Sequence, residues 1–147
     1  MPVYQAFREL AIDVEKATRS FGPDFRWLRI QCLRSSESVC ANMAEGFYSQ
    51  YTTEYLQSLY RSRREARETM AHVQYALDVG QMTELQANQL FTTYQDALIQ
   101  LAHILRSIER KLELRGKSKE RPLILKEEHE EYDAEYAASD PSDHTTI

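Results

Sequence analysis

Apolar residues recur at alternating intervals of three and four positions through most of this chain, which is the spacing of one face of an α-helix. The clearest series is Leu90, Tyr94, Ala97, Leu101, Ile104, Ile108 and Leu112. Gly and Pro, which interrupt helices, number only four each in 147 residues. The sequence therefore predicts an all-α protein.

Three earlier segments show the same spacing. Their apolar faces are, in chain order, Val3, Phe7, Leu10, Val14 and Phe21; Leu28, Cys32, Ser35, Val39 and Met43; and Leu56, Leu59, Ala66, Met70, Val73 and Leu77. The run FGPD is expected to end the first helix, with Asp24 as N-cap of the second, and Gly46 and Gly80 are expected to stop the second and third. A capping box formed by Thr83 and Gln86 starts the fourth, which closes at Gly116.

Four amphipathic helices with short connections most easily form an antiparallel up-down-up-down four-helix bundle, here assigned to residues 1–116. Residues 117–147 are expected to be a linker and an acidic, flexible C-terminal tail. Lys and Arg outnumber Asp and Glu by 16 to 14 through Lys119, whereas from Glu120 onward they are outnumbered by 9 to 2. The tail could simply increase solubility, compete with RNA for basic residues, or dock Leu123–Leu125 on a neighbouring subunit.

The cysteines indicate a reducing compartment. Cys32 and Cys40 are eight positions apart in one predicted helix, about 12 Å along its axis. That separation exceeds the roughly 7 Å that a disulfide allows between Cα atoms. No apolar run reaches the ~18 residues of a membrane span, and the first residues lack the apolar core of a signal peptide. We therefore expect a cytoplasmic protein with no membrane association.

The residue patterns typical of catalytic sites are incomplete or absent in this sequence. Di-iron bundles use Glu-x-x-His pairs, but Glu68 and His72 are four positions apart, and His103 has no Glu three positions before it. Phosphate-binding glycine loops and nucleophile elbows do not occur. The sequence predicts no enzymatic activity, no metal and no cofactor.

Arginine clusters suggest a nucleic-acid-binding surface, because the planar guanidinium suits phosphate groups. The candidate residues are Arg26, Arg29, Arg61, Arg64, Arg67, Arg106, Arg110, Lys111 and Arg115. The alternative is a solvated face in which these charges pair with glutamates such as Glu65, Glu68 and Glu109. Arg63 falls on the predicted apolar seam of the third helix, so either it lies at a subunit interface or the seam is shifted.

Asn42 and Glu45 interrupt the apolar face of the second helix. We expect Asn42 to bond across to a neighbouring helix and fix its register, and Glu45 to find a backbone or arginine partner, with Arg61 and Arg64 as candidates. A ligand site formed by this pair is the less favoured alternative.

The run SVCANMAEG, Ser38 to Gly46, resembles the S-I-x-x-N-I-A-E-G signature of four-helix bundle proteins encoded in 23S rRNA intervening sequences. The positions that match the signature here are Ser38, Asn42, Ala44, Glu45 and Gly46. In the third helix, Ser62 and Glu65 match a second run, A-x-G-S-x-x-E, whereas Leu59 and Arg61 replace its Ala and Gly. The resemblance covers roughly residues 4–115.

This resemblance implies a ring-forming bundle, commonly a homopentamer, without known enzymatic activity. The same fold includes accessory proteins of diversity-generating retroelements, which bind a reverse transcriptase and its RNA. The sequence and the resemblance together predict an oligomer that binds structured RNA, a reverse transcriptase complex, or both. The alternative is a protein-interaction scaffold that binds no nucleic acid and whose acidic tail contacts a basic partner.

Overall fold

A computed structural model describes residues 1–116 of the chain, and these residues form an all-α bundle, as predicted. The helices are α1 (Pro2–Thr18), α2 (Arg26–Phe47), α3 (Thr52–Asp78) and α4 (Glu84–Arg115), with a short 3-10 turn (Pro23–Phe25) before α2. The predicted linker and acidic tail, residues 117–147, lie outside the described residues. None of these helices is long and apolar enough to cross a membrane.

Each helix packs against the next one in the chain, and α4 packs back against α1. The turn after α1 and the turn after α3 meet at one end of the bundle, where the backbone N–H of Gly22 donates to Gln81 Oε1 at 2.7 Å. Between α2 and α3, Ser62 contacts Val39 while Thr69 contacts Ser35, so these two helices run antiparallel. The topology is the predicted up-down-up-down bundle.

Two of the predicted helix ends are confirmed. The side chains and backbones of Thr83 and Gln86 form the capping box at the start of α4. Gly80 follows α3 with a φ of +76°, a left-handed conformation that favours glycine over residues with a Cβ.

The first turn and the end of α2 differ from the prediction. Asp24 lies inside the 3-10 turn that Pro23 begins, and Phe25 is the N-cap of α2. Phe21 lies beyond the end of α1 and only partly buries its ring against the core. Helix α2 continues through Gly46 to Phe47, so Gly46 does not stop the helix.

The buried stripe of α3 is shifted from the predicted seam. Its members are Thr52, Tyr55, Ser58, Leu59, Ser62, Ala66, Thr69, Val73 and Ala76. Leu56, Met70 and Leu77 are only partly buried, and Arg63 lies at the edge of the stripe. The prediction followed aliphatic residues alone, whereas the structure buries hydroxyl side chains against α2.

Helix α4 is almost twice as long as α1. At ~1.5 Å per residue, α1 is about 25 Å long and α4 about 48 Å. The rings of Phe7 on α1 and Tyr94 on α4 pack with centroids 6.2 Å apart, which fixes the relative level of the two antiparallel helices. Helix α4 therefore extends roughly 20 Å beyond Met1, at the end of the bundle opposite the Gly22–Gln81 contact.

Candidate nucleic-acid interface

The α3 arginines face solvent. Arg61, Arg64 and Arg67 are all exposed, and their spacing of three residues keeps them on the outer side of the helix. Arg61 Nη2 donates to Ser58 Oγ at 3.4 Å, a contact within the same helix. Arg64 and Arg67 follow within two turns, so three guanidinium groups lie on about 10 Å of helix surface.

The carboxylates near these arginines are not ion-paired with them. The ion pairs of Glu15 with Arg19 and Arg29, and of Glu68 with His72, include none of these arginines. The glutamates that the solvated-face alternative requires therefore form no ion pair with Arg61, Arg64 or Arg67. These arginines remain available to an external anion.

Glu65 has an environment that disfavours its charge. Partial burial raises the pKa of the Glu65 carboxyl, and the neighbouring Glu68 raises it further. The charges of Arg64 and Arg34 act in the opposite direction, but their effect is smaller. The attraction between Glu65 and Arg64 is therefore weaker than the opposing effects of burial and of Glu68.

Arg63 is partly buried, with its guanidinium carbon 4.7 Å from the centroid of the Tyr60 ring on the same helix. This is the geometry of a cation–π interaction. Partial burial, followed by the charge of Arg67, lowers the pKa of Arg63. The shifted stripe explains why Arg63 fell on the predicted seam, and a subunit contact by Arg63 stays a prediction.

On α2, the two predicted arginines differ. Arg26 is exposed, whereas Arg29 is half-buried and pairs with Glu15 of α1 at 3.5 Å. Arg19 forms a hydrogen bond to the same carboxylate, and this bond lowers the pKa of Glu15. Arg29 thus links α1 to α2, and Arg26 is the more accessible of the pair.

The remaining basic candidates lie towards the end of α4. Arg106 and Arg110 are exposed, and Lys111 and Arg115 are half-buried. Arg106 Nη2 lies 3.3 Å from His103 Nδ1. Helices α2 and α4 run in the same direction, so the end of α4 lies at the opposite end of the bundle from Arg26 and Arg29, which are at the start of α2. The nine predicted residues therefore lie on three helices, with those of α2 and those of α4 at opposite ends of the bundle.

The signature residues Asn42 and Glu45 do not have the predicted contacts. Asn42 Nδ2 donates to the Ser38 carbonyl at 2.8 Å, within α2 itself, so the expected bond to a neighbouring helix is wrong. Glu45 is exposed. An amide at this position reaches its own helix more easily than α3, because a carbonyl four residues earlier lies directly beneath it.

Two hydroxyl contacts between α2 and α3 take the role expected of Asn42. Ser62 Oγ donates to the Val39 carbonyl at 2.9 Å, and the hydroxyls of Thr69 and Ser35 are hydrogen-bonded at 2.7 Å. Thr69 was not predicted from the sequence as a contact residue. The signal was present, since Ser58, Ser62 and Thr69 fall at spacings of four and seven on α3.

Gly46 allows α2 and α3 to approach closely. A Cβ at this position would lie 2.5 Å from Ser58 Cβ and 3.1 Å from Tyr55 Cδ1. Carbon atoms cannot approach that closely, so any larger residue would push the helices apart. The structure therefore gives Gly46 of the signature run an architectural role.

The interior offers little chemical reactivity. Burial raises the pKa of both Cys32 and Cys40 to about 11, so both thiols stay protonated near neutral pH. Burial also raises the pKa of Tyr94, whose hydroxyl is inside the bundle. Among residues 1–116, no group of three or more His, Cys, Asp or Glu side chains could hold a metal ion.

These features define a class: a four-helix bundle with a hydroxyl-rich α2–α3 interface and exposed arginines on its surface. The family of proteins described as 23S rRNA-intervening sequence proteins matches residues 1–103, most of the chain, and the chain belongs to this family. No curated protein matches it. The predicted resemblance to this family is thus confirmed, and the link to retroelement accessory proteins stays a prediction.

Proposed function

We propose that this protein is a non-enzymatic, RNA-associated protein that binds the phosphates of structured RNA through α3. The observation that carries the proposal is the set of exposed arginines Arg61, Arg64 and Arg67, which pair with no carboxylate of the described residues. Membership of the rRNA intervening-sequence family is compatible with this role.

Charge explains why α3 is the preferred surface. Residues 1–116 carry 14 basic and 14 acidic side chains, so the bundle as a whole attracts RNA only weakly. A local excess of arginine compensates for that balance, because each guanidinium can make two parallel hydrogen bonds to one phosphate. Arg26, Arg106 and Arg110 are further exposed cations that a long or folded RNA could reach.

We also propose that copies of the chain associate with each other, which would repeat the α3 surface around the assembly. Trp27, Ile30 and Tyr75 are exposed by 51%, 55% and 44%, and the Trp27 and Tyr75 rings pack 5.8 Å apart between α2 and α3. An exposed apolar group of this kind is typical of protein interfaces. The family resemblance implies a pentamer, and light scattering of the Trp27→Ser variant tests whether this surface is used.

The apolar group also supports the second candidate function, a protein-interaction scaffold. In that role Trp27, Ile30 and Tyr75 would contact a different protein, such as a reverse transcriptase. If the Trp27→Ser variant still assembles but no longer binds the reverse transcriptase, the scaffold function is favoured over self-association through this surface.

Fluorescence anisotropy of a labelled RNA hairpin, measured with the full chain over a salt series, tests RNA binding. The variant Arg64→Gln/Arg67→Gln should bind at least ten times more weakly than the unmodified chain. The slope of log K against log salt should fall by about 1.5 to 2 units, since two phosphate contacts are lost. The matched control is Arg8→Gln/Lys16→Gln, which removes the same charge from exposed positions on α1.

Equal weakening in both variants would show that only net charge matters and would contradict a site on α3. Absence of binding by the unmodified chain at low salt would show that the direct RNA role is wrong. The scaffold function would then be the better explanation of the exposed arginines and apolar residues.

A further inference from the structure

Helix α2 carries an exposed arginine, Arg34, beside its contact with α3. The hydroxyl of the next residue, Ser35, is hydrogen-bonded to that of Thr69 on α3 at 2.7 Å. Thr69 Oγ1 also lies 2.9 Å from the carbonyl of Glu65, one turn earlier on α3. Arg34 and Glu65 are therefore both neighbours of the same contact between the two helices.

The carboxyl group of Glu65 feels the charges of two arginines on different helices. Burial and Glu68 raise the pKa of Glu65, whereas Arg64 of α3 and Arg34 of α2 lower it. The ion pairs of Glu15 and of Glu68 include neither of these arginines. Two guanidinium groups therefore approach one carboxyl group from the two sides of the α2–α3 border.

A neutral side chain holds Arg34 in place. Arg34 Nη2 donates to Gln31 Oε1 at 2.6 Å, one turn earlier on α2. Because the Gln31 amide has no charge, this hydrogen bond orients the guanidinium group without neutralising it. An oriented guanidinium group loses less conformational freedom when it binds a phosphate, and its planar donors suit phosphate oxygens. Glu68 is engaged by His72, at 3.4 Å.

We propose that Arg34 and Arg64 bind one phosphate of the RNA across the α2–α3 border, and that Glu65 takes up a proton when this phosphate binds. The inference rests on the proposed RNA-binding function and extends its surface from α3 to α2. A phosphate and an ionised Glu65 compete for the same two arginines. A protonated Glu65 removes that competition, and its O–H becomes a hydrogen-bond donor to a phosphate oxygen.

The environment of Glu65 makes this protonation easier than at an ordinary surface glutamate. Its pKa is already raised by burial and by Glu68, and the arrival of a phosphate adds a further negative charge that raises it again. The proton comes from the solvent. Because proton uptake and RNA binding favour each other reciprocally, the affinity for RNA should increase as the pH falls below 7.

Fluorescence anisotropy of a labelled RNA hairpin with the full chain tests the role of Arg34. The variant Arg34→Gln should bind at least five times more weakly than the unmodified chain, and the slope of log K against log salt should fall by about 0.7 to 0.9 units, since one phosphate contact is lost. The matched control Arg8→Gln removes the same charge from an exposed position on α1 and should change the affinity less than two-fold. Equal weakening in the two variants would overturn a phosphate contact by α2 while leaving RNA binding through α3 in place.

The pH dependence of the same binding tests the role of Glu65. The unmodified chain should bind the hairpin at least three times more tightly at pH 5.5 than at pH 7.5. Glu65→Gln should bind more tightly than the unmodified chain at pH 7.5 and should show a smaller change with pH, whereas the control Glu9→Gln, at an exposed position on α1, should keep the full change.

Calorimetry in two buffers of different ionisation enthalpy measures the proton directly. Net proton uptake on RNA binding at pH 5.5 should be larger for the unmodified chain than for Glu65→Gln. Equal pH dependence and equal proton uptake in the two proteins would overturn the role of Glu65. If the unmodified chain binds no RNA at either pH, the proposed RNA-binding function itself is wrong, a result distinct from binding that is insensitive to Arg34 and Glu65.

Discussion

The two halves of this bundle are held together in different ways. Where α1 meets α4, large side chains fill the interior, as in the packing of Phe7 against Tyr94 and the burial of Leu10 and Leu101. Where α2 meets α3, the interface is the most extensive of the bundle, yet small and hydroxyl-bearing residues dominate it. Large side chains that fill the interior stabilise the α1–α4 half. Close approach of the two helix backbones stabilises the α2–α3 half.

This difference explains the signature run at the end of α2. Gly46 admits Ser58, and the Val39 carbonyl accepts a hydrogen bond from Ser62, so two positions in or bordering the run contact α3 directly. Small residues bring two helices close enough for hydroxyl groups of one to reach the backbone of the other. The signature is therefore best understood as a description of an interface, and the proposed RNA contacts lie outside it.

The largest effect is expected in the volume-filled half. Phe7→Ala should lower the free energy of unfolding by about 3–5 kcal/mol, because it removes a fully buried ring and leaves a cavity beside Tyr94. Urea denaturation measures the change. Ile12→Ala on the same helix, at a position 45% exposed, should stay within about 0.5 kcal/mol. Similar losses in both variants would mean that Phe7 contributes no special packing.

An intermediate effect is expected in the closely packed half. Gly46→Ala should destabilise the protein by about 1–3 kcal/mol, because its Cβ would overlap Ser58 Cβ. In a double-mutant cycle, Ser58→Gly should relieve this overlap, so the double variant should be at least 1 kcal/mol more stable than the two single changes predict. Strict additivity would show that the helices move apart freely, and the contrast between the halves would then be weaker.

The smallest effect concerns Glu65, at the polar border of α2 and α3. Burial and Glu68 raise its pKa in the folded state, so stability falls as the pH rises above the ordinary glutamate value of about 4.5. Glu65→Gln should therefore gain a few tenths of a kcal/mol at pH 7 and nothing at pH 3, because water screens this half-exposed group. Thermal unfolding at both pH values, with the exposed Glu9→Gln as control, measures the difference.

A loss of stability in Glu65→Gln at pH 7 would mean that Arg34 and Arg64 stabilise the carboxylate more than burial penalises it. Glu65, Arg34 and Arg64 would then stabilise one another as a charged network at the α2–α3 border. The small gain in stability predicted for Glu65→Gln instead means that the hydroxyl contacts of Ser62 and Thr69, and not the charges, fix the register of α2 and α3.

The helices could be predicted because their signals are local. Apolar spacing and the capping box at Thr83 depend on neighbouring residues only, and the four helices and this cap are confirmed. The buried stripe of α3 was wrong because a serine or threonine reads as polar in the sequence, whereas Ser62 and Thr69 satisfy their hydroxyls inside the bundle. The hydrogen bond predicted for Asn42 was wrong for the opposite reason, since the Ser38 carbonyl of the same helix accepts from its side-chain amide.

The candidate site was only partly predictable from the sequence. That Arg29 would pair with a residue 14 positions away, while Arg64 and Arg67 would pair with none of the described carboxylates, depends on how α1, α2 and α3 are arranged. The sequence identifies the charges, but the placement of the α2 and α4 basic residues at opposite ends of the bundle follows from which helix ends meet. The sequence shows how many arginines each helix carries, but it does not show which of them are free of carboxylate partners.

The contact between Gly46 and Ser58 also has a consequence for the history of the family. Because a Cβ at position 46 would overlap the Cβ at position 58, the residue at one position limits which substitutions are tolerated at the other. Among relatives, an alanine at the position of Gly46 should be accompanied by a glycine at the position of Ser58, and changes at one alone should be rare. The pair would then appear in an alignment as correlated substitution between distant parts of the chain.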